Sequence, residues 1–113
     1  MNLCPGTPYD YSAAAHGLVF TAGACLLDER GTVVAPGDFE AQALRTVENL
    51  LAALAQHAVG PESLLKTRSS WSRVSGRSSL HVSVERRATL LGVSLLGYPD
   101  QLGEIEAIAT IAP

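Results

Sequence analysis

Aromatic residues are scarce in this 113-residue chain: two Phe, one Trp and three Tyr, or 5% of positions. Its core must therefore be built from Leu, Val, Ile and Ala, which the 47% apolar content can supply. Cysteine is scarcer still. Cys4 and Cys25 are too few for a disulfide framework or a structural zinc site. Cys25 lies in an apolar run and reads as a small core residue. Positive charge is in deficit, with 8 basic against 11 acidic residues. A net charge of -3 gives no general attraction to nucleic acid or to anionic membrane. No apolar run reaches the length of a membrane span. The first residues, Met-Asn-Leu-Cys-Pro-Gly-Thr-Pro, carry no basic and then apolar stretch of the kind that directs secretion, so a cytoplasmic location is the expectation. No phosphate-binding glycine loop, nucleophile elbow or metal motif is present, and His16, His57 and His81 have no ligand spacing.

What is there reads as a single α+β domain over residues 1–113, on size and on element pattern. Residues 18–27, with a β-branched and aromatic start, predict a strand. Asp28-Glu29-Arg30-Gly31 leads to Thr32-Val33-Val34 and reads as a hairpin connection. Pro36-Gly37-Asp38 opens a helix over 38–58, with Asp38 as cap and Glu40 at the positive end of the dipole. Leu44, Val47, Leu51, Leu54 and Ala58 predict its apolar stripe, with Gln42, Arg45, Glu48 and Gln56 off it. His57, near the C-terminal end, reads as a cap. Gly60-Pro61 stops the helix. A third strand begins at 63–67, a fourth covers 88–97, Tyr98-Pro99-Asp100 is a turn, and 103–111 is a fifth strand of clean alternation.

Residues 68–87 stand apart. They hold five of the eight basic residues and seven serines, with no steady period. Arg68, Arg73, Arg77, Arg86 and Arg87 around Trp71 would suit single-stranded nucleic acid. Clustered charge more often marks a solvated loop or weak helix, and nucleic acid is the less favoured partner.

Three groups of residues resemble one family. The first is Thr7-Pro8-Tyr9-Asp10-Tyr11-Ser12 followed by Leu18-Val19-Phe20-Thr21-Ala22-Gly23-Ala24. The second is Gly37-Asp38, Ala41-Gln42-Ala43, Glu48-Asn49-Leu50, Leu54 and Leu65-Lys66-Thr67. The third runs from Leu90-Leu91-Gly92-Val93 to Glu104-Ile105-Glu106-Ala107-Ile108-Ala109. Over about 7–67 and 88–112 the chain resembles the RidA (YjgF/YER057c-like) family, also named for endoribonuclease L-PSP.

The resemblance implies a chorismate mutase-like mixed sheet with helices packed on one face, a homotrimer whose sheets form a trimeric barrel, and small-molecule ligands in clefts between subunits. It implies hydrolysis of enamines or imines to ammonia and a 2-oxo acid, with no metal and no organic cofactor. Such a substrate carboxylate wants an arginine fork, and a carboxylate or backbone carbonyl must orient water. The family's arginine position falls on Ala88, its first-strand serine on Ala22 and its following cysteine on Leu90. Arg86 would share a strand face with Ala88 but lie about 6–7 Å further along. The candidate catalytic residues are Glu104 and Tyr9, and the candidate substrate-binding residues are Tyr9, Ala22, Gly23, Ala88 and Arg86. The 20 residues between Thr67 and Ala88 are few for the rest of a strand, a turn, the family's second helix of about 11 residues and a return loop. That shortage suggests a deletion or a local change of reading frame. Two readings follow: an enamine/imine deaminase with altered substrate, or a non-catalytic member that binds a small, less polar metabolite.

Overall fold

The computed structural model describes residues 3–7, 9–23, 27–72 and 87–111. Five strands form one mixed sheet in the order β1-β2-β5-β3-β4, and a single α-helix among the described residues packs on one face. The strands are β1 (Ser12–Ala15), β2 (Leu18–Thr21), β3 (Leu64–Ser72), β4 (Ala88–Val93) and β5 (Gly103–Thr110); the helix is α1 (Phe39–Ala55). The second helix implied by the family would fall in 73–86, outside the described residues, as do Cys25, Arg73, Arg77, His81 and Arg86.

β5 is central because it alternates cleanly. Ile105, Ala107 and Ala109 are buried against α1, while Glu104, Glu106, Ile108 and Thr110 line the other, open face. β5 pairs antiparallel with β2 on one side and with β3 on the other. β3 pairs parallel with β4, with Thr67 opposite Ala88 and Ser70 opposite Leu91. The core joins Val19, Leu50, Leu54, Val59, Trp71, Ile105, Ala107 and Ala109.

Three strand expectations are corrected. β1 was not anticipated: Ser-Ala-Ala-Ala is mostly exposed and has weak strand preference, so its pairing with β2 through a His16-Gly17 turn, both at positive φ, forms it. β2 ends at Thr21 rather than at 27; residues 24–26 lie outside the description, and Leu27 forms a bridge with Val33. The hairpin itself is present, held by the Asp28 carboxylate, which accepts from the backbone N–H of Arg30 (2.9 Å) and Thr32 (3.0 Å). The Thr32 bond first, then the Arg30 bond, hold the Asp28 carboxyl below its ordinary value. β4 ends at Val93, short of 97.

The basic stretch is also reread. Arg68–Ser72 is the second half of β3, not a solvated loop or weak helix. Trp71 is buried, 5.1 Å from the Phe39 ring, and lies against Gly103, where a Cβ would come within 1.9 Å of its ring. It is no exposed platform for a base. Arg68 pairs with Glu106 at 2.9 Å on the open face.

Helix α1 begins as expected, with Asp38 accepting from the Ala41 N–H at 3.0 Å. It ends at Ala55, earlier than 58, and Ala58 takes a left-handed conformation. The expected stripe holds at Val47, Leu51 and Leu54, which are in or against the core, and fails at its ends. Leu44 is 63% exposed and Ala58 is exposed, while Gln42, Arg45, Thr46 and Asn49 are buried beside Leu50, Ala53 and Leu54. The reason is that this face meets loop backbone as well as sheet. Buried carbonyls need donors, and Arg45 Nε (3.1 Å) and Asn49 Nδ2 (2.9 Å) both donate to the Leu27 carbonyl. Gln42 Nε2 donates to the carbonyls of Ala35 (3.2 Å) and Asp100 (3.0 Å), and its Oε1 accepts from the Leu102 N–H (3.0 Å).

Gln42→Leu removes these three bonds and takes from the part-buried Asp100 carbonyl and Leu102 N–H their side-chain partner, while the Ala35 carbonyl keeps the Asp38 N–H. Urea unfolding is expected to show a loss of about 2–4 kcal/mol, by the cost of orphaned polar groups. A change below about 0.5 kcal/mol would mean that Gln42 does not brace these loops.

Candidate functional site

The loop from 97 to 102 turns the chain into β5. Asp100 is left-handed at φ 67°, and the Gln101 N–H donates to the Tyr98 carbonyl at 3.2 Å. The buried Gln101 side chain ties both ends: Oε1 accepts from the Tyr98 N–H and Nε2 donates to the Gly103 carbonyl, each at 3.0 Å. This places Glu104, the first outward-facing residue of β5, beside Tyr98.

The second wall comes from the start of the chain. The Ala22 N–H donates to the Tyr11 carbonyl at 2.9 Å, which holds residues 9–11 along the end of β2. Tyr9 stands edge-on to Tyr11 at 5.6 Å, and its hydroxyl is 3.4 Å from that of Tyr98. Gly23 lies under the Glu104 carboxylate; a Cβ there would stand 2.5 Å from Oε2. Tyr9, Ala22, Gly23, Tyr98, Gln101 and Glu104 thus enclose a recess of about 260 Å³.

Burial raises the Glu104 carboxyl above its ordinary value; a Gln101 hydrogen bond works against this, and the like charge of Glu106 adds to it. A carboxyl in such a recess can exchange a proton with a ligand and can orient water.

Tyr9, Ala22, Gly23 and Glu104, expected to act together, meet in this recess. Ala88 does not. It faces Thr67, which faces Ala107, so by register it lies on the helix side of the sheet, while Glu104 lies on the open side. The two are also about 10 Å apart along the strands and about 10 Å across them, by strand spacing. Leu90 shares the face of Ala88 and is exposed. Arg86 lies outside the described residues. Arg87 turns back on β3, with Nε donating to the Leu65 carbonyl (2.6 Å) and a terminal nitrogen to that of Leu64 (3.1 Å).

Tyr98 and Gln101 were missed. The turn over 98–100 was legible, but not that it folds back onto residues 9–11. His57 is not a direct cap of the helix carbonyls: Nε2 meets Ser12 Oγ at 3.0 Å, and Ser12 Oγ meets the Ala53 carbonyl at 3.1 Å. A larger groove of about 590 Å³ runs between residues 3–12 and the end of α1. It shares Tyr9 with the recess but is broad and polar, and Glu104 is not among its walls. Among the described residues no group of three His, Cys, Asp or Glu is placed to hold a metal, and no helix is long and apolar enough to cross a membrane.

The raised Glu104 value has a stability consequence. The folded chain holds this proton more tightly than the unfolded chain, so the linked stability is full below the ordinary value of 4.5 and falls as pH rises through the raised value. Glu104→Gln is therefore expected to raise the melting temperature at pH 7, and the advantage should vanish near about pH 4. Thermal melts across this range check the sign; a stability loss at pH 7 would contradict it.

No protein-family model matches the chain. A RutC family protein of Synechocystis sp. is 39% identical over 64 residues, which are 56% of this chain and 49% of that protein. The match thus spans about half the length of that curated relative. E. coli TdcF, solved with bound serine, superposes with a TM-score of 0.82 at 21% identity, over 96% of this chain and 92% of that one. YyfA of Yersinia pestis, of the conserved Rid protein family, gives 0.82 at 22% over 96% and 93%. The E. coli YjgF gene product gives 0.78 at 22% over 91% and 87%. The sheet order and the helix on one face agree with these structures: the chain has the RidA/YjgF fold, and over 64 residues its sequence is similar to a RutC family protein.

Proposed function

We propose that this chain is a cytoplasmic, single-domain enamine/imine hydrolase that works without metal or organic cofactor in clefts of a homotrimer. The observation that carries the reading is the meeting of Glu104 with Tyr9 and Tyr98 over Gly23, in a recess sized for a small molecule. Water adds to the imine carbon, the nitrogen takes up a proton, and the adduct collapses to a carbonyl compound and ammonia. Glu104 would supply and recover that proton and orient the water, a use that suits a carboxyl raised by burial. Tyr9 would fix the substrate at the rim. TdcF, with this fold, holds serine, which supports a small amine-bearing ligand here as well.

The trimer is supported by the open sheet face, where Phe20 is exposed opposite Ile108 and Leu91 is exposed on β4. A sheet face of this kind calls for a cover, and a second copy of the same face supplies one.

The second reading is a non-catalytic metabolite-binding protein. It is favoured by Ala88 at the family's arginine position and by Ala22 and Leu90 at the serine and cysteine positions. Nucleic acid is not favoured, because Trp71 is buried and Arg68 is paired with Glu106.

Ammonia release from imines generated in situ tests the first reading. Faster release than in buffer is expected, with a loss of about a hundredfold or more in Glu104→Gln, the scale of one acid–base group. Acceleration by no imine, together with thermal stabilisation by a metabolite, would favour the second reading. Light scattering on a sizing column is expected to give three chains per particle, and Phe20→Glu is expected to give monomers; a monomeric parent protein would remove the cleft and both readings with it.

A further inference from the structure

The charge around the recess says more about its occupant. Glu104 is half-buried, and among the described residues that wall the recess it is the one ionisable carboxylate, with no cation beside it. The described cations are engaged elsewhere. Arg68 meets Glu106 at 2.9 Å, Lys66 Nζ meets Thr89 Oγ1 at 2.6 Å, Arg87 holds the Leu64 and Leu65 carbonyls, and Arg45 holds that of Leu27. Arg30 sits at the Asp28 turn.

Phenol oxygens of Tyr9 and Tyr98 lie 3.4 Å apart at the rim, and aromatic rings tolerate a cation on their faces. Gly23 under the carboxylate leaves no room for it to withdraw in that direction. An anionic ligand would have to share this space with a half-buried like charge. A protonated amine, amidine or iminium would give Glu104 a cationic partner, which none of the described walls supplies.

We infer that the recess selects its ligand by positive charge, taking small amines, amidines or iminium species through Glu104 in preference to carboxylate-bearing compounds. This rests on the recess being the ligand site proposed above, and it narrows the substrate to imines without a carboxylate.

Four probes of similar size separate the possibilities: butylammonium, butyramidine, butyramide and butyrate. Each is titrated into the full chain while the backbone amide signals of Gly23, Tyr98 and Gln101 are followed. The two cations are expected to bind about tenfold or more tighter than the amide, the scale of a hydrogen bond to a charged group, with butyrate weakest. Glu104→Gln is expected to erase that preference. The comparison of cation with amide in the unaltered protein stands even if the variant fails to fold. Butyrate binding most tightly, a cation preference that survives in Glu104→Gln, or no shift at these amides with any probe would overturn the inference.

Ammonia release from carboxylate-free imines and from 2-imino acids separates this from the hydrolase reading. Cation preference without hydrolysis of either class keeps the charge selection and removes the hydrolase. Hydrolysis of 2-imino acids in preference to carboxylate-free imines keeps the hydrolase and removes the charge selection.

Discussion

A single buried amide organises the functional end of this molecule. Gln42 sits inside α1 with no exposure, and its three hydrogen bonds all go to loop backbone. One goes to Ala35, just before the helix, and two go to Asp100 and Leu102, just before β5. A buried amide left unpaired is costly, so the side chain and the loops define each other. From that brace the geometry follows outward. Asp100 is held in a left-handed turn, Gln101 ties Tyr98 to Gly103, and Glu104 emerges at the head of β5 facing away from the helix.

The same logic explains why α1 is polar where a simple amphipathic helix would be apolar. Its inner face covers β2 and β5 with Leu50, Ala53 and Leu54, but its first turns cover loops. Loops bring carbonyls that no ladder satisfies. Gln42, Arg45 and Asn49 supply donors to them, and Leu44 is left outside. The fold thus exchanges some apolar burial for a fixed loop geometry at the end where the recess lies.

The recess gathers four of the residues that the family resemblance singles out. Glu104, Tyr9 and Gly23 keep the pattern expected of a RidA-like chain, and their meeting is geometric as well as sequential. Ala88, at the position to which the resemblance assigns an arginine, lies on the far face of the sheet from Glu104. Glu104 has no cation among its described neighbours in the recess.

Much of this was legible in the residues alone. The alternation of 103–111, the Asp38 cap, the Asp28 hairpin and the family resemblance each rest on local spacing, and local spacing is what a sequence carries directly. Glu104 and Tyr9 were legible through the resemblance. Other features depended on partners distant in the chain. Ser12–Ala15 became a strand only by pairing with β2, and Arg68–Ser72 only by pairing with β4 and β5. Which face of α1 is buried was decided by loop carbonyls from residues 27, 35 and 100. Tyr98 and Gln101 joined the site because a turn folded back on residues 9–11 across 89 positions of sequence. The sequence by itself determined the helix cap, the Asp28 turn, the alternation of β5 and the chemistry available, since propensity and periodicity are local. Tertiary structure alone decided which polar groups are buried together, since hydrogen-bond satisfaction and desolvation depend on neighbours that only folding brings near.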